Sequence, residues 1–303
     1  MFTSALGEMV DMAALLEAAE KLPPLPTSAV RLTALTADPA AEVHDVVDVV
    51  ELDQGLAAAV LRVANSAASG NRVAIGTVEN AVVRLGMSAV TSIALSTHLS
   101  NQMNRAIGPY GLGPGELWRE SVLASIAADL VRTKSTVRVP PEAVTAALLH
   151  DIGKVVLCRF RDDDAQRLIA SGRAADPTLG SDFEAERAVL GLHHGEVGAL
   201  IAQNWRLPEA VVNGVQYHHS PHEHPEPICF AVALADAIAD HLIVTGDPSS
   251  TPSEIDSVLD LDEAERVSSA MHALGLRASS FEDLAAITAA RFERVRAQFL
   301  IDE

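Results

Sequence analysis

The stretch LLHDIGKVVL, residues 148–157, places three polar groups in an otherwise apolar run. His150 and Asp151 are adjacent, and Lys154 follows about one helical turn later. Imidazole and carboxylate groups are common metal ligands, and burying such groups without partners costs free energy. We expect the stretch to lie inside a helix, in a core where other polar side chains meet the His150–Asp151 pair.

Candidate partners for this pair lie on separate predicted helices before and after it. Two glutamates four residues apart lie upstream, so they should share one helix face. Downstream, a His-His pair begins one helix, a second His-His pair ends the next, and an aspartate lies in the helix after that. A helical bundle can direct such groups to one point. The candidate metal ligands are Glu116, Glu120, His150, Asp151, His194, His218, His219 and Asp236.

The donor types restrict the metal and suggest a chemistry. Nitrogen and oxygen ligands without thiolate suit one or two divalent ions of iron, manganese or zinc. Carboxylates can bridge two such ions, which then activate water against a phosphoryl group. Asp151 and Lys154 are therefore the candidate catalytic residues, with the lysine contacting a phosphate oxygen. The competing interpretations are a core histidine bonded to a neighbouring carboxylate, and a lysine that faces solvent at a helix edge.

Composition and periodicity predict an all-α fold, a multi-helix bundle. Hydrophobic residues make up 49% of the 303 residues and aromatic residues only 4%. Apolar positions recur at helical spacing, and strand-like alternation does not persist. The stretch GPYGLGPG contains four glycines and two prolines, which cannot continue a helix. We predict an N-terminal helical subdomain over 1–107, a linker over 108–115, a bundle with the metal site over 116–245 and a C-terminal helical extension over 246–303.

Local signals predict where several helices begin and end. After the extended LPPLP of residues 22–26, Thr27 or Ser28 should cap a helix that ends at Asp38-Pro39. Asp53 should cap the helix that contains QGLAAAVLRVANSA. The apolar ICFAVALADAIA is interrupted by Asp236, so no run approaches the roughly 20 residues of a membrane-spanning helix.

Charge and cysteine content limit the partners. The formal net charge is −19, which disfavours binding to nucleic acid. Two cysteines distant in sequence form no disulfide framework, and the N-terminus lacks a basic leader segment. These features predict a cytoplasmic protein, and the phosphoryl chemistry of the candidate site favours a phosphorylated small molecule as its ligand.

Four segments together resemble a known family. LPPLPTSAVRLTAL, ELDQGLAAAVLRVANSA, NAVVRLGMSAV and LLHDIGKVVL occur in the order seen in HDOD proteins, the HD-related output domains of bacterial signalling. The resemblance covers about residues 20 to 240. It implies an N-terminal helical subdomain packed on an HD-type helical bundle, and a role that is regulatory rather than catalytic.

The resemblance also implies roles for individual residues. HD-superfamily phosphohydrolases use an H…HD…D metal set, which places the HD pair at 150–151, the last aspartate at Asp236 and the first histidine at Glu120, where this sequence departs from the pattern. The chain is also similar to HD-GYP phosphodiesterases, whose additional ligands and lysine correspond to Glu116, His194, His218, His219 and Lys154. The GYP-containing loop itself is absent. A regulator with a retained metal site, a metal-dependent phosphohydrolase acting on a nucleotide or cyclic dinucleotide, and a metal-free helical scaffold are the three hypotheses.

Overall fold

The computed structural model describes residues 12–65, 74–159, 182–245 and 261–299. In these ranges every regular element is a helix, apart from one isolated bridge between Ile107 and Leu112. The predicted all-α class is therefore confirmed.

The described residues form the following helices, given in chain order. The first group comprises α1 (Met12–Glu20), α2 (Thr27–Ala37), α3 (Val43–Glu51), α4 (Gln54–Ala64), α5 (Val78–Leu85) and α6 (Met87–Met103). A 3₁₀ turn (Gly108–Tyr110) precedes α7 (Glu116–Lys134), α8 (Ala143–Leu149) and α9 (Ile152–Arg159). The remaining helices are α10 (Asp182–Leu190), α11 (His194–Asn204), α12 (Glu209–Gln216), α13 (Pro227–Thr245), α14 (Leu261–Ala273) and α15 (Ser280–Phe299).

Two helices of 19 residues each, α7 and α13, pack against each other at the centre of the bundle. Helix α7 also contacts α6, α8 and α15, while α13 contacts α8, α12, α14 and α15. The N-terminal helix α1 packs on α9 and α11, and one hydrophobic cluster joins all these elements. The proposed division at 108–115 stays a prediction.

The helix ends at α2 and α4 differ in how well the sequence predicts them. Helix α2 ends at Ala37 as expected, but its N-cap is Pro26, so the predicted cap at Thr27 or Ser28 is wrong. The Ser28 hydroxyl instead donates to Asp53 Oδ2 at 2.8 Å. Asp53 does cap α4, because its Oδ1 accepts the Leu56 N–H at 3.1 Å. Ser28 and Asp53 thus connect the starts of two helices.

The expectation that no apolar run approaches membrane-spanning length is wrong for α13. It is 19 residues long with a mean hydropathy of 1.8, so by length and composition it passes for a span. However, 78% of its most apolar window is buried inside the protein, as in the core helix of a folded bundle. Asp236 lies near the middle of this helix and faces other polar groups there.

The stretch LLHDIGKVVL, residues 148–157, was expected to lie inside a helix, and this expectation is wrong. Helix α8 ends at Leu149, His150 is its C-cap, and α9 begins at Ile152. His150 and Asp151 therefore occupy the junction between two short helices. The Lys154 N–H donates to the Asp151 carbonyl oxygen at 3.0 Å, which ties the junction to the first turn of α9.

Candidate metal centre

Three imidazole rings bring their Nε2 atoms together. His194 is the first residue of α11, with His193 as its N-cap, and His218 and His219 follow the end of α12. The Nε2 atom of His194 lies 3.3 Å from that of His218 and 2.8 Å from that of His219. Nitrogen ligands at about 2.0–2.1 Å from one ion lie about 2.9–3.4 Å apart in octahedral or tetrahedral geometry. The rings are therefore spaced like the ligands of a single ion.

The Asp151 carboxylate lies between these rings and a second set of donors. Its Oδ1 is 3.0 Å from His194 Nε2 and 4.0 Å from His218 Nε2. Its Oδ2 is 3.5 Å from His150 Nε2 and contacts the Lys154 ammonium. His150 Nε2 in turn lies 3.1 Å from Asp236 Oδ1. Of these six side chains, the five other than Lys154 are at most 3% exposed.

In three of the histidines, the contact that Nδ1 makes fixes the direction in which Nε2 points. His150 and His218 direct Nδ1 at backbone carbonyl oxygens three residues earlier, at 2.8 and 2.6 Å. His194 directs Nδ1 at Glu186 Oε2 at 2.8 Å. When Nδ1–H donates to such an acceptor, a neutral ring keeps its lone pair on Nε2. This is the usual arrangement of a metal-ligating histidine.

Hydrogen bonds alone do not satisfy the nitrogen and oxygen atoms that face one another in this cluster. His194 Nε2 carries at most one proton but faces Asp151 Oδ1 and the Nε2 atoms of both His218 and His219. His150 Nε2, Asp151 Oδ1 and Asp236 Oδ2 are buried and make no hydrogen bond of acceptable geometry to any residue that the structure describes. Buried polar atoms are nearly always paired, and each exception requires an explanation. A cation among these lone pairs fits the donors that are present.

The electrostatic field at the site favours positive charge. Burial lowers the pKa of His150, but the adjacent Asp151 and Asp236 carboxylates outweigh it and raise that pKa to about 9. Burial likewise opposes protonation of His194, yet Glu186 and Asp151 raise its pKa to about 9. Carboxylates that attract a proton this strongly also attract a metal cation.

The other two rings are kept neutral. Burial, followed by the neighbouring His150, lowers the pKa of His218 well below its ordinary value. Burial and the neighbouring His218 do the same for His219. A ligand must be deprotonated to bind a metal, so neutral rings are ready ligands where the lone pair faces inward.

A buried ion pair flanks the second set of donors. Lys154 is 8% exposed, so the prediction of a solvent-facing lysine is wrong. Its ammonium contacts Asp151, lies 4.0 Å from Glu120 Oε1 and sits 5.6 Å from the ring centre of Tyr110. Burial opposes the charge, but Asp151 and Glu120 raise the lysine pKa above its ordinary value, so it stays charged. Burial raises the pKa of Glu120 well above normal despite Lys154.

Glu120 belongs to the cluster, whereas Glu116 does not. Glu120 offers an oxygen within 4.8 Å of ligand atoms of His150 and Asp151. Glu116 is exposed at the start of α7, where its carboxylate accepts the Gly113 N–H at 2.6 Å. Sharing a helix face was not sufficient, because one turn rises about 5.4 Å along the axis.

Four residues that the sequence does not single out complete the site. Glu186 accepts both the ring Nδ1–H and the backbone N–H of His194, and the Tyr110 hydroxyl donates to its other oxygen at 2.6 Å. Arg266 contacts His219, and Asp240 offers an oxygen within 4.8 Å of those of Glu120 and Asp236. None stands in a recognisable motif, and Tyr110 lies in the segment predicted to be only a linker.

Comparison with known proteins agrees with the all-helical fold. The fold is an all-α domain that encloses a buried cluster of histidines and carboxylates. Residues 22–221 match the family model described as the HDOD domain, and the chain belongs to this family.

Individual relatives are distant. One solved structure, named "Putative phosphohydrolase" from Shewanella amazonensis SB2B, shares 24% identity with a TM-score of 0.66, covering 95% of this chain and 98% of that one. Another, named "Putative signal transduction protein" from Marinobacter aquaeolei VT8, shares 22% identity with a TM-score of 0.67, covering 95% and 64%. An uncharacterized protein of Treponema pallidum is 24% identical over 223 residues, which span 72% of this chain and 42% of that protein.

Proposed function

We propose that this protein is a regulatory component of bacterial signal transduction that holds a divalent ion of iron, manganese or zinc in its HD bundle. The ligands would be His150, Asp151, His194, His218 and Asp236. The observation that carries the proposal is the convergence of buried Nε2 atoms around the Asp151 carboxylate, at a point where the described residues leave three buried polar atoms without a hydrogen bond.

Two features favour a regulatory over a catalytic role. The Lys154 ammonium is already engaged by Asp151 and lies close to Glu120, so it is not directed at a phosphate. Glu120 also stands where the HD pattern has its first histidine. The family membership supports action through a signalling partner or a phosphorylated small molecule, without naming either one.

Elemental mass spectrometry of the purified, untagged protein tests the metal centre. We expect close to one or two equivalents of iron, manganese or zinc in the wild type and in Asp48→Ala, an exposed control on α3. Asp151→Ala should lose the metal while its circular dichroism stays helical. A wild-type protein that is folded, metal-free and unable to take up any of the three ions would refute the proposal.

A metal-dependent phosphohydrolase is the second candidate, and it is favoured by two neighbouring groups of potential ligands, one around His194 and one formed by Glu120, His150 and Asp151, which could hold a pair of ions. A bound divalent ion would supply an activated water and charge neutralisation at phosphorus. The test is release of product from nucleotides, phosphodiesters and cyclic dinucleotides by metal-loaded protein. The enzyme hypothesis expects turnover that Lys154→Met abolishes, whereas the regulatory proposal expects none from the wild type.

A further inference from the structure

A cleft of about 600 Å³ lies between α1 and α11, a volume typical of small-molecule sites. Leu15 of α1 lines it together with Val197 and Leu200 of α11. Leu15 and Val197 belong to the buried core, so the cleft reaches an apolar interior. Helix α1 precedes the matched region of 22–221, so membership in the family does not imply this cleft.

Three polar side chains line the cleft among these apolar ones. They are Glu196 and Gln203 of α11 and Gln216, the last residue of α12. Of the lining residues that the structure describes, Glu196 is the charged one. A carboxylate and two amide oxygens accept hydrogen bonds, so they suit a ligand that donates. The negative charge of Glu196 and the net charge of −19 favour a cation over an anion.

The order of these groups along α11 indicates the shape of the ligand. Gln203 follows Glu196 by seven residues, which is close to two helical turns, so both lie on one face about 10 Å apart. Ala199 and Leu200 line the cleft between them. The helix therefore presents a charge at one end of the cleft, an amide at the other and apolar surface between.

The carboxylate of Glu196 is held in place but remains accessible. It accepts the His193 N–H at 3.0 Å as part of the capping box that begins α11. Its side chain is nevertheless 45% exposed, so a ligand in the cleft can approach it. A group that is already ordered loses little conformational freedom on binding, which favours affinity.

We propose that this cleft binds an elongated amphipathic cation, a small molecule with an ammonium group at Glu196 and an apolar chain against Leu15, Val197 and Leu200. An ammonium group is a donor with three N–H bonds, which matches the acceptors of the cleft. The inference does not depend on the proposed metal centre, because the described lining residues include none of the proposed ligands.

Isothermal titration calorimetry with octylamine, octanol and octanoate tests the proposal, since these probes share a chain length and differ in charge. Octylamine should bind wild type about tenfold or more tighter than octanoate. Glu196→Gln, which keeps an oxygen for the cap, should weaken octylamine binding by about fivefold and leave octanol unchanged. Glu209→Gln is the matched control, because it removes one exposed charge from the first turn of α12 and should have no effect.

The location of the site is tested by Leu200→Trp, which places a larger side chain in the cleft. This variant should bind octylamine at least tenfold more weakly than wild type while its circular dichroism stays helical. Octylamine binding that Leu200→Trp leaves unchanged would overturn the proposal, as would octanoate binding as tight as that of octylamine. Equal losses from Glu196→Gln and Glu209→Gln would indicate diffuse attraction to an acidic protein, and a wild type that binds no octylamine would also refute the site.

Discussion

At the scale of single residues, Gly153 explains how Asp151 reaches His194. A Cβ atom at position 153 would lie 2.0 Å from the His194 carbonyl oxygen and 2.9 Å from the Gly198 nitrogen. Helices α9 and α11 therefore touch backbone to backbone at this point. That approach places the first residue of α11 within 3.0 Å of the Asp151 carboxylate. The glycine of HDIGK is thus required by packing and not by its own backbone torsion.

Replacing Gly153 should separate the two helices. We expect Gly153→Ala to reduce the free energy of unfolding by about 3 kcal/mol, since the new methyl group meets rigid backbone and not a flexible side chain. Urea unfolding followed by circular dichroism measures this. Gly76→Ala is the control, because a Cβ at position 76 meets nothing within 4 Å. Equal stability of the two variants would contradict the packing argument.

Glu186 should position His194 for the metal. Its carboxylate accepts the ring Nδ1–H at 2.8 Å, so it holds both the tautomer and the orientation of the ring. We expect Glu186→Gln to lower Zn²⁺ affinity by about 10- to 100-fold. Tyr110→Phe, which removes one donor to Glu186, should have a smaller effect in the same direction. Glu223→Gln, at an exposed glutamate, serves as control, and a similar loss in that variant would count against the assignment.

The site residues that the sequence predicts and those that it does not predict differ in their neighbours along the chain. His150, His194 and Asp236 stand out because polar groups are rare among apolar neighbours in a core helix. Glu186 and Arg266 lie in segments rich in charged residues, where a functional side chain looks like a solvated one. Only tertiary packing reveals that Glu186 is fully buried and that Arg266 reaches the site.

At the scale of helices, most boundaries follow from local chemistry, and the informative difference is at α12. The sequence predicts that the second His-His pair, His218 and His219, ends a helix, whereas α12 ends at Gln216. His218 and His219 therefore lie beyond the helix, and the two adjacent rings can approach the same neighbour, His194. Inside a regular helix, consecutive side chains point about 100° apart, which would separate them. Helix propensity alone does not predict that α12 ends before His218.

The Asp53 cap joins α2 to α4 and predicts a pH-dependent contribution to stability. The Leu56 N–H and the Ser28 hydroxyl lower the pKa of Asp53 below its ordinary 3.8. A carboxyl whose pKa is lower in the folded state stabilises the fold above its unfolded-state pKa, and loses that contribution as pH falls through the folded value. We expect Asp53→Ala to cost about 1 kcal/mol at neutral pH.

Urea unfolding of the wild type and of Asp53→Ala at several pH values measures the difference between their free energies of unfolding. It should be constant between pH 7 and 5 and shrink as the pH falls below 3.8. Asp48→Ala, at an exposed position on α3, should show little loss at any pH. A difference that grows on acidification would have the wrong sign for a capping carboxylate.

At the scale of the whole molecule, the candidate metal site draws its potential ligands from distant parts of the chain. His150 and Asp151 join α8 to α9, His194 begins α11, His218 follows α12 and Asp236 lies in α13. These elements pack through one hydrophobic core, whose central helices enclose a cluster of buried polar side chains. Burying several ionisable groups together costs free energy that their mutual attraction offsets only in part. A bound cation would offset more of that cost and would connect the segments that supply its ligands.

Metal removal should accordingly lower the stability of the whole chain. An ion that binds only the folded state adds about 2.7 kcal/mol at a free concentration 100 times its dissociation constant, which raises the melting temperature by several degrees. Thermal unfolding of chelator-treated protein, with and without added Zn²⁺ or Mn²⁺, measures this shift. Asp151→Ala should melt at one temperature in both conditions, because it lacks the central carboxylate. If the melting temperature of the variant rose as much as that of the wild type, the stabilising ion would be bound elsewhere. The buried polar side chains around Asp151 would then be stabilised without a metal.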